Sequence, residues 1–152
     1  MPEALPGRAA LADALVAHAV EWARGISEPT VIAPDQLRAA INRAGAAIVV
    51  AANTPRLEAV HAEAVRSDLA AGVELTLGPG LVGGWYLAGL SGPHEAAITL
   101  LEAGAGREET FKLGNDLAFG MLRAERVIRE ESDCYAFAVD PLLPQAMRSL
   151  MR

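Results

Sequence analysis

The chain has 152 residues, enough for a single domain with a buried core. It is 52% apolar and only 21% charged, with a net charge of −6. An acidic chain with no concentrated basic patch argues against a nucleic-acid partner, and no apolar run approaches the ~18 residues of a membrane span.

The N-terminus, MPEALPGRAALADALV, carries an acid early and lacks a basic block before its apolar residues, so it does not read as a signal peptide. Residues 4–24 read as an amphipathic helix, with Leu11, Leu15, Val16, Val20 and Trp22 near helical spacing and Gly25 as the stop. The linker ISEPTVIAP, with Pro29 and Pro34, sets this helix apart, and Pro34-Asp35 opens a short helix over 35–44. AAIVVAAN (46–53) is an apolar β-rich run, consistent with a buried strand. Thr54-Pro55 predicts the cap of a helix over 55–71 that ends at Gly72.

VELTL (73–77) and Trp85 to Leu90 read as two strands with a glycine cluster between them. Ser91-Gly92-Pro93 turns into a helix over 94–103. Residues 104–115 are glycine-rich and polar, 117–130 look helical, and CYAFAV (134–139) is a strand. Pro141 and Pro144 break the chain before a short tail helix. From residue 46 the order is β-α-β-β-α-(helix)-β. That predicts an α+β fold of the ferredoxin-like split βαβ type, a four-stranded antiparallel sheet with helices on one face. Residues 1–45 then form an N-terminal helical extension, and 46–152 the domain proper, with an insertion near 105–123.

The glycine cluster Gly78-Pro79-Gly80-Leu81-Val82-Gly83-Gly84 contains a literal G-x-G-x-x-G. A dinucleotide loop needs a helix N-terminus after its last glycine, and Trp85-Tyr86-Leu87 continues as strand instead. A wide strand-to-strand loop is the better reading, and no cofactor is expected. Glu58 and His61 share one helix face as E-x-x-H, but no second such pair completes a di-iron set, so a solvated face is expected and no metal site. Cys134, the single cysteine, starts an apolar strand beside Asp133 and Tyr135 and reads as a core residue; it allows no internal disulfide and fits a reducing, cytoplasmic setting. Arg123, Arg126 and Arg129 are spaced as one helix stripe interleaved with Glu125 and Glu130, which is ordinary surface patterning. No catalytic constellation stands out.

From Ala46 to Gly104 the chain resembles the bacterial microcompartment shell domain. The carriers are the junction Ala70-Ala71-Gly72-Val73-Glu74-Leu75, the glycine loop, and GWYLAGLSGPHEAAITLLEAG from Gly84 to Gly104. A second piece, 124–150, is similar to that family's closing helix end, last strand and proline-bearing tail. Leu69 stands where the family carries an edge lysine, and DPLLP replaces its basic proline motif. The resemblance implies a non-catalytic structural subunit that assembles with itself as a hexamer or trimer. The loop Gly78–Gly84 would line a central pore for small metabolites, with Leu81 or Val82 narrowing it. It also implies that the N-terminal helix contacts other shell or cargo proteins.

Two other readings stay open. One is an oligomeric ferredoxin-like module that binds or senses a small ligand through the glycine loop or residues 105–123. The other is a small enzyme using His61, His94 or Glu95. The high apolar content points to subunit contacts and so to an oligomer.

Overall fold

The computed structural model describes residues 6–113, 117–128 and 134–139. In chain order these form α1 (Pro6–Arg24), β1 (Thr30–Ile32), a 3-10 turn (Pro34–Gln36), α2 (Leu37–Arg43), β2 (Ala47–Ala51) and α3 (Ala59–Ala70). There follow β3 (Leu75–Pro79), β4 (Trp85–Leu90), α4 (Glu95–Glu102), α5 (Arg107–Lys112), β5 (Phe119–Met121) and β6 (Tyr135–Val139). The result is an α+β architecture on one six-stranded sheet, ordered β1-β6-β2-β4-β3-β5. Neighbours are antiparallel except β3 and β5, which run parallel, so the sheet is mixed.

The four expected strands sit side by side in the middle as β6-β2-β4-β3. The sheet nevertheless has six strands rather than four, because two short segments join its edges. β1 comes from the linker between Pro29 and Pro34, and β5 from residues read as the start of a helix over 117–130. Leu117, Met121 and Leu122 mimic helical spacing, but the backbone bonds elsewhere. Glu74 and Leu75 N–H both donate to Ala118 O, and Leu122 N–H donates to Leu77 O at 2.8 Å. Strands of three residues are too short to display a period of two.

Helices cover both faces of the sheet, not one. Leu37 and Ile41 of α2 and Ala97, Ile98, Leu100 and Leu101 of α4 pack on Ala47, Val49, Leu75, Leu77, Ala88, Leu90 and Phe137. Ala19 and Ala23 of α1 and Val65 and Leu69 of α3 pack on Ile48, Val50, Leu87, Ala136 and Ala138. The cause lies in β2, where all five residues of AIVVA are buried. A strand apolar on both sides must be covered on both sides. Residues 30–43 belong to this packing too, since β1 extends the sheet and α2 covers the face of α4.

Local chemistry fixes the ends of the elements. Both α3 and α4 close on Schellman caps at glycines with positive φ, Gly72 (100°) and Gly104 (67°). At the α4 end, Gly104 N–H donates to Leu101 O and Ala105 N–H to Leu100 O. α3 starts later than expected: its N-cap is Glu58, and Thr54 instead donates its hydroxyl to Ala51 O at 2.9 Å. The expected tail helix after Pro144, and Arg129, Glu130 and Pro141, lie outside the described residues.

Candidate functional site

The glycine cluster spans the end of β3, a tight turn and the start of β4. Gly83 N–H donates to Gly80 O at 3.3 Å, and Gly80 N–H to Gly84 O at 3.0 Å. Leu81 and Val82 form the tip and are 60% and 92% exposed. The register between β3 and β4 shifts there: Gly78 pairs with Leu87 and Pro79 with Trp85, leaving Tyr86 as the extra residue of a β-bulge. Trp85 therefore faces the α4 side of the sheet, while Tyr86 and Leu87 face the α3 side.

Gly78 and Gly80 meet a ring or backbone at close quarters, whereas Gly83 and Gly84 are set by positive φ (120° and 70°). A Cβ on Gly78 would lie 2.6 Å from Tyr86 Cζ, and one on Gly80 2.5 Å from Gly83 O. The loop also lies against the turn after α4, where a Cβ on Gly106 would sit 2.9 Å from Gly84 O. The crowding that glycine permits thus has partners within the chain.

At this end of the sheet the loop forms one wall of a cleft of about 770 Å³. Val82, Gly83, Gly84 and Trp85 face the C-terminal end of α4 (Leu101, Glu102, Ala103, Gly104) across it, with Asn53, Val127, Ile128 and Tyr135 closing the sides. The Trp85 and Tyr135 rings stack at 5.0 Å with an interplanar angle of 17°. Trp85 Nε1–H donates to Leu101 O at 3.0 Å, which ties the indole to the α4 cap. The wall at Val127–Ile128 is held by Ile128 N–H on Asn53 O, and by Glu125, whose N–H donates to Pro79 O and whose carbonyl accepts from Leu81 N–H.

Glu102, at the rim, belongs to a clasp between α2 and α4. Arg38 donates to Glu102 Oε1 at 2.7 Å and to both Glu95 carboxylate oxygens at 2.8–2.9 Å. These hydrogen bonds raise the Arg38 guanidinium above its ordinary value and hold Glu95 below the usual carboxylate range. Glu95, Thr99 and Glu102 fall at i, i+4 and i+7, a stripe readable in the sequence once α4 is placed.

The E-x-x-H pair is solvated only in part: Glu58 is exposed, whereas His61 is covered. His61 is 8% exposed, and its Nδ1 accepts from Glu58 N–H at 3.0 Å. That bond places the ring proton on Nε2, which lies 3.6 Å from Glu125 Oε1. The ring meets Tyr86 edge-on at 5.9 Å, and Tyr86 O–H donates to Arg123 O at 2.9 Å. His94 is instead the N-cap of α4, hydrogen-bonded to Ser91 Oγ at 2.9 Å. His61 and the His94–Glu95 pair therefore stand on opposite faces of the sheet, and His18 is exposed on α1. Cys134 is half-buried against the α3-side core. The arginines at 123 and 126 do not form a helix stripe, because residues 122–128 are irregular.

Among the described residues no group of three or more His, Cys, Asp or Glu is arranged to hold a metal, and no helix is long and apolar enough to cross a membrane. No family model, curated protein or solved structure matches the chain. Its own geometry is then the guide to function.

Proposed function

We propose that the chain is a non-catalytic small-ligand-binding module whose site is the cleft between the glycine loop and the α4 cap. The observation that carries this is the concavity itself: about 770 Å³ with a mixed polar and apolar lining, and Tyr135 stacked on the buried Trp85 in its wall. That volume lies in the range of small-molecule sites. The strand order β6-β2-β4-β3 supports a ferredoxin-like centre, while α4 and α3 on opposite faces distinguish it from the usual split βαβ. The chemistry of the lining favours binding over catalysis, since His61, His94 and Glu95 line no part of the cleft.

Trp22 and Trp85 are the two tryptophans of the chain, so a Trp22→Phe variant reports from the cleft alone. Small neutral aromatic fragments are expected to quench its emission saturably. Fragments that leave Trp85 emission unchanged while binding elsewhere would overturn the reading.

A second reading, a ring-forming subunit resembling microcompartment shell proteins, draws on the tip of the loop. Val82 at 92% and Leu81 at 60% exposure are apolar side chains with no cover in the single chain. A ring would cover them around an axis. Sedimentation distinguishes it, because a stable monomer is incompatible with a pore.

A further inference from the structure

We infer that the cleft selects flat organic cations, an aromatic ring bearing a quaternary or protonated nitrogen, over neutral and anionic ligands of the same shape. This rests on the binding reading above and adds a charge preference to it.

Three observations converge. First, the cleft is lined by no Lys, Arg or His among the described residues, and its one acidic side chain is Glu102. Arg38 does not cancel that charge, because the same guanidinium also holds Glu95, leaving the trio at one net negative charge. Second, the wall opposite the glycine loop is the C-terminal end of α4, Leu101–Gly104. Carbonyls at a helix C-terminus carry partial negative charge and favour cations. Third, Tyr135, stacked on the buried indole of Trp85, supplies an aromatic face, and such a face attracts a cation lying over it. Among the described residues, an anion would face a carboxylate and helix-end carbonyls and no cation. The whole chain at −6 adds a field of the same sign.

The ring of a cationic ligand would lie beside the Tyr135–Trp85 stack, its nitrogen towards Glu102 and the α4 cap. Val82 and Ile128, both exposed, would cover its outer edge.

The test uses three probes of nearly one shape: phenyltrimethylammonium, tert-butylbenzene and benzenesulfonate. Each is titrated into the full-length Trp22→Phe chain and into the same chain carrying Glu102→Gln, with Trp85 emission as the readout. The cation is expected to bind roughly tenfold tighter than the neutral isostere, the scale of a partly desolvated cation–aromatic contact. Benzenesulfonate is expected to bind weakest. Glu102→Gln should reduce the cation's advantage to within about threefold while leaving tert-butylbenzene unchanged. Equal binding of cation and neutral probe, tighter binding of the sulfonate, or a cation preference left undiminished by Glu102→Gln would each overturn the charge inference. If no probe alters Trp85 emission, the cleft reading itself fails. Circular dichroism of both variants confirms that they fold, so loss of binding is not loss of structure.

Discussion

A methyl group on Gly78 would lie 2.6 Å from Tyr86 Cζ, and the ring cannot swing away because its hydroxyl is tied to Arg123 O. Gly78→Ala is therefore expected to cost about 1–3 kcal/mol, the usual range for overpacking, read from the urea midpoint. Val82→Ser at the exposed tip should stay within about 0.5 kcal/mol of the parent. One motif thus divides into glycines set by packing and tip residues available to a partner or ligand. Tyr86 makes a second residue-scale prediction. Burial, then the negative charge of Glu125, pushes its phenol well above the ordinary value of 10.0. The unfolded chain ionises near that value while the folded one stays protonated. This contribution is complete below about pH 10 and is lost as the pH rises further. Tyr86→Phe should flatten the alkaline limb of a stability–pH profile. At neutral pH it should cost about 1 kcal/mol for the lost hydrogen bond.

Among the elements, α2 and α4 are joined by the Arg38 clasp as well as by their shared apolar face. Glu95 is held below its ordinary 4.5 by the Arg38 hydrogen bonds, so this stabilisation is present above that pH and disappears on acidification through the lower folded value. Arg38→Met should make acid unfolding less steep in that window, while neutral-pH stability changes little because the groups are exposed. Much at this scale was legible in the sequence. β2, β4, β6, α4 and the α3 stop at Gly72 follow from apolar runs and glycine caps. A strand does follow Gly84 directly, as its apolar run predicts. What escaped were the three-residue edge strands β1 and β5, whose pairing depends on distant backbone partners rather than local pattern. The second helical layer escaped too, although the unbroken apolar run AIVVA of β2 carries that signal. For His61, spacing gives a helix face but not what covers it. Here Glu125, 64 positions along the chain, supplies the cover.

At the scale of the whole molecule, the cleft exists only because remote segments meet at one end of the sheet. The loop after β3, the α4 cap, Asn53 and the stretch at Val127–Ile128 are separated by many residues, and no local motif announces their meeting. The stacked pair shows the same logic, with Trp85 and Tyr135 brought together across β2 by strand order alone. Assembly is a separate question at this scale. Sedimentation of the full chain returns a hexamer or trimer under the ring reading, and Val82→Glu would then dissociate it.

The central claim is that this cleft binds a small flat ligand. It is tested most directly by following the two indole N–H signals of a nitrogen-labelled chain during titration with phenyltrimethylammonium. The Trp85 indole and the backbone amides of Gly84 and Gly104 are predicted to shift together with one dissociation constant, while the Trp22 indole, bonded to Glu58 O on the other face, stays in place. A titration that moves Trp22 or scattered surface amides, and leaves Trp85, Gly84 and Gly104 unshifted, would contradict it.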